Sequence, residues 1–210
     1  MKQENREKIK KEMSYRDLLS ICIGKAFANQ KNFQDFLGTY HRWDTDVTQG
    51  VLLIDEKVFE VEYIGTTSKR DLCWYTAEQE QIIPDEGVQI MMRIREFLKE
   101  KEVPQFYFPK AKLTNEINEH NLAMIFCMLA DQKVCYFNGS GEVSIVMFVK
   151  NLPETIFQPV SADRFFHIVM YLIQNYDIHA REMIHSFLLE NESGGQAVLG
   201  RQIPTTTPWV

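Results

Sequence analysis

The side chains that could perform metal chemistry do not have the spacing of a known metal site. Glu182 and His185 form one Glu-x-x-His pair on a predicted helix. A di-iron bundle site needs two such pairs and two further inward glutamates, but Glu116 and His120 are four residues apart. His179 and His185 do not share a helix face, as a zinc-binding His-Glu-x-x-His would require. We therefore predict no metal site and no cofactor, and place these residues on the surface.

A second set could imitate a nucleophile with its base and orienting group. It combines His41 and Asp44 with either Cys73 or Cys135. Nothing in the sequence places these side chains together, and neither cysteine precedes a helix N-terminus that would activate its thiol. We therefore predict no catalytic residue, although the question of enzyme activity stays open with a non-catalytic role favoured.

The third set is the candidate ligand-binding site: Trp43, Asp46, Trp74 and Tyr75. Aromatic faces can stack on a ligand while a carboxylate orients it, which is typical of small-molecule pockets. The competing interpretation is structural. The tryptophans would then belong to the core, and Asp46 would start the turn toward Gly50 by accepting hydrogen bonds from the local backbone. The sequence leaves both interpretations open.

The elements that must position these residues follow from hydrophobic periodicity and turn chemistry. Ser14 is a predicted N-cap for a helix that ends near Leu37 at Gly38, and four strands follow between Tyr40 and Thr76. Within them, Val58 to Ile64 alternates like a half-buried strand with one solvated face. Later predicted elements are a helix after Pro84, a helix to about Ala130, a hairpin around Asn138–Gly141, and helices after Ser161 and from Ile178.

This order predicts an α+β fold: a single antiparallel sheet of about six strands, with helices packed mainly on one face. The sheet comprises the four-stranded meander and the later hairpin, preceded by the N-terminal helix. Residues 165–173 are apolar almost all round, which predicts a central helix. We predict a polar lead-in over 1–13, one domain over 14–191, and a flexible tail over 192–210 that is rich in Gly, Pro and Thr.

Composition limits the classes of partner. The chain has 210 residues and a net charge of −6, which argues against the clustered cations that nucleic-acid binding needs. It has no apolar run of membrane-spanning length. The four cysteines lie inside apolar runs without close pairing, which predicts buried reduced thiols and a cytoplasmic protein. We therefore expect neither nucleic acid nor membrane as a partner.

One stretch resembles a known family. Trp43 is followed by Asp46 and Gly50 in Trp-Asp-Thr-Asp-Val-Thr-Gln-Gly, then by Ile-Gly-Thr-Thr-Ser at 64–68 and Cys-Trp-Tyr at 73–75. This pattern resembles a bacterial family of cytoplasmic proteins of unknown function, with a W-x-x-D-x-x-x-G motif, a Leu/Ile-Gly-Thr-Ser strand end and a tryptophan-containing strand. The likeness covers about residues 14–150. It implies no activity, and the family's tryptophan-rich strand keeps only Trp74 here.

The leading functional interpretation is a non-catalytic binding or protein-interaction module, with a homodimer among the open arrangements. One alternative is a small-ligand-binding protein or weak enzyme, with its pocket near Trp43, Asp46 and Trp74. Another is a partner-neutralising, immunity-like protein, suggested by acidity and small size. The partner is accordingly either an unidentified protein or a small ligand.

Overall fold

The computed structural model describes residues 1–68, 70–77, 83–103, 106, 110–141 and 143–192. Apart from residue 192, the predicted C-terminal tail lies outside these residues. Within them the chain forms six α-helices and a single seven-stranded antiparallel sheet, so the predicted α+β class is confirmed. The strands are β1 Trp43–Asp46, β2 Val51–Ile54, β3 Lys57–Ser68, β4 Cys73–Thr76, β5 Lys110–Lys112, β6 Cys135–Gly139 and β7 Val143–Val149.

The long strand β3 organises the sheet. Its first part, Lys57–Glu60, pairs with β2, and β2 pairs with β1. Its second part pairs with β7 from Val61 and with β4 from Gly65. A register shift between Tyr63 and Gly65 marks a bulge where these pairings meet. The sheet ends at β1 beside β2, at β5 beside β4 and at β6 beside β7.

The helices begin and end where local chemistry dictates. Ser14 and Asp17 form a capping box, in which the Asp17 N–H donates to Ser14 Oγ at 3.1 Å. Gly38 ends the same helix at a φ of 68°, which suits glycine. The predicted cap at Ser161 is also present. The helices are α1 Gln3–Lys8, α2 Tyr15–Leu37, α3 Gln89–Glu100, α4 Glu119–Leu129, α5 Ala162–Asn175 and α6 Ala180–Asn191.

Two hydrophobic clusters occupy the two faces of the sheet. Strand neighbours in register share a face and successive residues alternate, so Val146 and Phe148 face one cluster while Met147 and Val149 face the other. Buried side chains of α3, α4, α5 and α6 belong to the first cluster. The second is closed by the C-terminal part of α2 and by short turns. Helices therefore cover mainly one face, as predicted.

Helix α2 connects the two faces by crossing the edge of the sheet at β6. Its residues between Leu18 and Ala28 pack in the first cluster, whereas Phe33 packs in the second against Phe59. At the crossing, the Gln30 side chain donates to the Tyr136 carbonyl at 2.9 Å and accepts from the Tyr136 N–H at 3.1 Å. An amide side chain thus satisfies the open edge of the sheet and fixes α2 beside it.

Two local expectations differ from the structure, and the lead-in makes a contact that the sequence does not indicate. Helix α5 is peripheral rather than central: Leu172 is fully buried, but Phe166, Met170 and Ile173 are exposed. The predicted wet face of β3 includes one buried carboxylate, because Glu62 accepts the Ile90 N–H at the start of α3 and pairs with Lys150. The lead-in over 1–13 is anchored by the fully buried Asn5, which donates to the Ser186 carbonyl. Long-range contacts of this kind leave no local sequence pattern.

Candidate binding site

The structure separates the two tryptophans of the predicted pocket. Trp74 lies in register with Thr67 and points into the first cluster. Trp43 lies in register with Ile54 and packs against the second cluster, on the opposite face of the sheet. A ligand held between Trp43 and Trp74 would have to pass through the sheet. The structure therefore does not bring these two residues together.

Trp74 is enclosed by protein. The side chain is 2% exposed and contacts Phe126 of α4, with ring centroids 6.4 Å apart. Its ring also covers the backbone of Gly65, where an added Cβ would overlap both the Trp74 ring and the Tyr75 carbonyl oxygen. Gly65 is therefore explained by close packing, and the Ile-Gly-Thr-Thr strand end serves the core.

Trp43 repeats this arrangement on the other face. Its ring packs against Phe137 at a centroid distance of 5.5 Å. It also lies on Gly139, where a Cβ would overlap the indole. Trp74 on β4 thus covers a glycine of the adjacent strand β3, and Trp43 on β1 covers a glycine of β6, a strand that does not pair with β1. The aromatic-glycine contact is therefore a packing device used twice in one sheet.

Asp46 and Tyr75 make local contacts. Asp46 Oδ1 accepts from the Thr48 N–H at 3.0 Å, the Thr48 hydroxyl at 2.8 Å and the Gln49 N–H at 3.1 Å. These bonds, led by the one from the Thr48 hydroxyl, hold the pKa of Asp46 below its usual range. Tyr75 donates its hydroxyl proton to Asp71, and Lys110 Nζ lies 4.8 Å from its ring centroid. The turn interpretation accounts for Asp46 fully.

The other chemistry-bearing residues are also dispersed. Glu182 pairs with Lys8 at 3.0 Å, and Lys8 also contacts His185 Nδ1 at 2.8 Å. In the described part of the chain, no three His, Cys, Asp or Glu side chains are grouped to hold a metal ion. The cysteines are free thiols, and burial raises the pKa of Cys22 and Cys135. Within that same part, no helix is long and apolar enough to cross a membrane.

A groove elsewhere in the molecule has the size and lining of a binding site. It has a volume of about 1210 Å³ and lies between α2, α5 and the segment that leads into α4. None of the four predicted pocket residues lines it. Five aromatic side chains do, together with the buried apolar side chains of Leu19, Met124 and Ile168; the aromatic residues are Tyr15, Phe27, Tyr136, Tyr171 and Tyr176.

Three of these aromatic side chains contact one another, and one of the three is also exposed to solvent. Phe27 and Tyr171 stack at 5.2 Å between ring centroids, and Tyr171 meets Tyr176 edge-on at 6.4 Å. Tyr171 is nevertheless 47% exposed. A tyrosine held by its neighbours and open to solvent loses little conformational entropy when it binds a ligand. Tyr171 therefore presents a positioned and exposed aromatic ring to the groove.

Formal charge in the groove is balanced. Three cationic side chains, Arg16, Lys31 and Arg164, line it beside three carboxylates, Glu116, Asp163 and Asp177. Arg16 pairs with Asp177 at 2.8 Å, and Arg164 pairs with Asp35 at 2.8 Å. Such a surface offers no net field for a polyanion. It favours a ligand that is close to neutral.

His120 and Tyr136 contact each other in the lining of the groove. The His120 Nδ1 and the Tyr136 hydroxyl oxygen are 3.2 Å apart. Burial raises the pKa of Tyr136, so its phenol stays protonated at neutral pH and acts as a hydrogen-bonding group. Gln30 holds the Tyr136 backbone through the two bonds described above. The pair is therefore fixed in position by the same contact that fixes α2.

A smaller pocket of about 350 Å³ continues from this point. It shares Gln30, Gln34, His120 and Tyr136 with the groove, and it extends to Tyr40 and Asn138. The Asn138 Oδ1 in the small pocket is buried without a hydrogen-bond partner among the described residues. Buried polar atoms are normally satisfied.

Sequence reasoning did not find the groove, because its lining comes from distant segments. Tyr15, His120 and Tyr171 belong to three helical regions with no shared motif. One signal was present: aromatic residues on α5 exceed what a single buried face requires. The sequence predicts from these residues a central helix, whereas Tyr171 lines the groove and Phe166 is exposed beside it.

The fold defines an α+β protein with a groove beside the edge of its sheet. The chain belongs to a family of unknown function, DUF6882, whose model matches residues 16–152. The expected membership in a family without an assigned activity is thereby confirmed. No curated protein and no solved structure matches the chain. The matched segment contains α2 and β6, and α5 lies beyond its end.

Proposed function

We propose that this protein is a non-catalytic binding module that holds its ligand in the groove between α2, α4 and α5. The observation that carries this proposal is the groove itself. It is about 1210 Å³ in volume, lined by aromatic and polar side chains, and exposes the preordered ring of Tyr171. Concave, partly apolar sites with a few convergent polar groups are the usual form of ligand-binding sites.

A binding role is favoured over catalysis by the state of the polar groups. The most suggestive pair, His120 and Tyr136, includes a phenol whose pKa is raised by burial and which is therefore a poor base at neutral pH. Several amides that line the groove already bond the local backbone: Asn118 caps α4, and Asn121 donates to the Glu116 carbonyl. These groups shape and orient the site.

The surface beside the groove supports a partner larger than a metabolite. Phe166, Met170 and Ile173 lie on one exposed stripe of α5, next to the side that lines the groove. Exposed apolar patches of this kind mark interaction sites. We further propose a cytoplasmic location, because the four cysteines are free thiols. A protein partner is thus favoured, and a small ligand is the alternative.

Native mass spectrometry of gently purified protein tests the proposal. The matched variants are Tyr171→Ser in the groove and Tyr75→Ser on β4, each of which removes one partly exposed tyrosine. We expect additional mass on the wild type and on Tyr75→Ser, and its loss from Tyr171→Ser. Retention by Tyr171→Ser together with loss from Tyr75→Ser would move the site to the sheet and contradict the proposal.

A further inference from the structure

We propose that the ligand of this groove is a segment of a partner protein about eight to ten residues long. The segment binds in an extended conformation, in which successive residues are about 3.3 Å apart. The inference rests on the proposed function and specifies its ligand. It draws on the length of the groove, its continuation into the second pocket, and the balance of polar, apolar and charged groups along both.

The groove is too long for a compact ligand. Its lining on α2 runs from Tyr15 to Gln34, which corresponds to about 28 Å at the helical rise of 1.5 Å per residue. The second pocket extends the lining to Gly38, or about 34 Å in all. An extended chain would place about eight to ten residues along this length. The volume of about 1210 Å³ also exceeds the usual range of roughly 300–1,000 Å³ for small-molecule sites.

The lining favours an extended backbone over a helix. A helix satisfies its own main-chain groups and docks through an apolar face into an apolar groove. Here polar side chains are distributed along the whole groove. They include Gln34 and His120, which line both the groove and the small pocket. An extended segment presents free N–H and C=O groups to such partners.

Apolar floor residues favour a peptide over an oligosaccharide. Leu19 and Met124 are each 2% exposed, and Ile168 is 6% exposed, at the base of the groove. A peptide carries aliphatic and aromatic side chains that bury such surface, whereas a sugar chain offers mainly hydroxyl groups. Tyr171 then serves as the aromatic anchor, the role in which interface tyrosines contribute most.

The charge balance excludes a strongly charged peptide. Of the three cations in the groove, Arg16 and Arg164 are already paired with Asp177 and Asp35. A phosphorylated segment would need a cluster of unpaired arginines. The peptide that fits is therefore near neutral and carries apolar side chains at intervals along its length.

The test is selection from a displayed library of random peptides of roughly 12 residues on the full chain, followed by fluorescence anisotropy with the selected peptides. The selected peptides are then shortened one residue at a time to about four residues, so that the extended chain becomes about 3.3 Å shorter at each step. Binding is compared for Tyr171→Ser in the groove and Tyr40→Ser in the second pocket. The matched control is Leu188→Ser on α6, which changes an exposed apolar residue outside both linings.

We expect affinity to fall at least about tenfold once the peptide is shorter than about eight residues, and in both lining variants, as for loss of an aromatic anchor. Leu188→Ser should bind like the wild type. Full affinity for a tetrapeptide, or equal binding by Tyr171→Ser, would overturn the proposal. So would binding that appears only after deletion of residues 193–210, because the chain's own C-terminal segment would then be the occupant. If no peptide binds and a member of an oligosaccharide array binds instead, the proposal of a peptide ligand fails. The proposed binding function would then still stand.

Discussion

The tryptophan strands and the groove use aromatic side chains in opposite ways. Trp74 is 2% exposed and covers the backbone of Gly65, whereas Tyr171 is 47% exposed although it contacts the rings of Phe27 and Tyr176. The first arrangement leaves no room for a ligand, and the second holds an aromatic ring ready for one. A recognisable sequence pattern can therefore result from packing alone, whereas the residues that line the groove share no sequence pattern.

Hydrogen bonding shows the same contrast. Asp46 accepts three bonds from its own turn. In the small pocket that continues the groove, Asn138 Oδ1 is buried without a hydrogen-bond partner in the described part of the chain. A satisfied polar group stabilises the fold, and an unsatisfied one is costly until something binds.

The largest effect is expected for Trp74→Ala. Removing a fully enclosed indole from between β4 and α4 should lower the free energy of unfolding by about 3–5 kcal/mol. Equilibrium urea denaturation measures this change, with Tyr171→Ala as the comparison. A loss below about 1 kcal/mol for Trp74→Ala would show that the ring is not part of the core.

The next effect tests how the groove is built. Gln30→Ala removes both bonds to the Tyr136 backbone and should cost about 1–2 kcal/mol. Gln34→Ala is the matched control, since Gln34 lines the same groove one turn later and its amide oxygen accepts only a long bond of 3.3 Å from Lys31. Equal unfolding free energies for the two variants would show that the Gln30 hydrogen bonds do not hold α2 against β6.

A smaller effect is expected on the exposed face of α5. Phe166 is 61% exposed, so Phe166→Ser should change the unfolding free energy by no more than about 0.5 kcal/mol. On the same helix, Leu172→Ala should cost about 2–5 kcal/mol because Leu172 is fully buried. Thermal denaturation of the pair measures the difference. A large loss for Phe166→Ser would place this face in a contact between protein surfaces.

The smallest effect concerns the turn at Asp46. Its pKa is lowered in the folded state, so ionised Asp46 stabilises the fold above the unfolded value near 3.8, and this stabilisation is lost as pH falls through the lowered pKa. Asp46→Asn should therefore be mildly destabilised at neutral pH, with the difference from wild type shrinking in acid. Thr48→Val removes the main hydrogen bond, and an NMR titration should show the pKa of Asp46 rising toward its ordinary value.

Much of the fold could be predicted from the sequence, because the signals are local. The Ser14 and Asp17 capping pair and the stop at Gly38 each depend on a few neighbouring residues. The predicted hairpin is also present as β6 and β7, but Asn138 and Gly139 lie within β6 and the connection follows them. The exposed face of α5 and the burial of Glu62 could not be predicted in this way. Both depend on which distant element covers the residue: none of the described residues covers Phe166, and Lys150 and the start of α3 cover Glu62.

The candidate site was predicted less well than the fold. Trp43, Asp46 and Trp74 are close in sequence, but the alternation of side chains across the sheet puts the two tryptophans on opposite faces. The groove residues are separated by more than a hundred positions and meet only because α2 crosses the sheet edge beside α5. No spacing rule within one segment would reveal them.

The most direct test of the division between a structural sheet and a binding groove is site-specific photo-crosslinking in cells. A photoreactive phenylalanine analogue replaces either Tyr171 or Tyr75, which are both partly exposed tyrosines. We predict that adducts form from position 171 and not from position 75, and that Tyr40→Ser, in the pocket that continues the groove, weakens them. Adducts formed from position 75 and not from position 171 would contradict the account and return the binding site to the tryptophan strands.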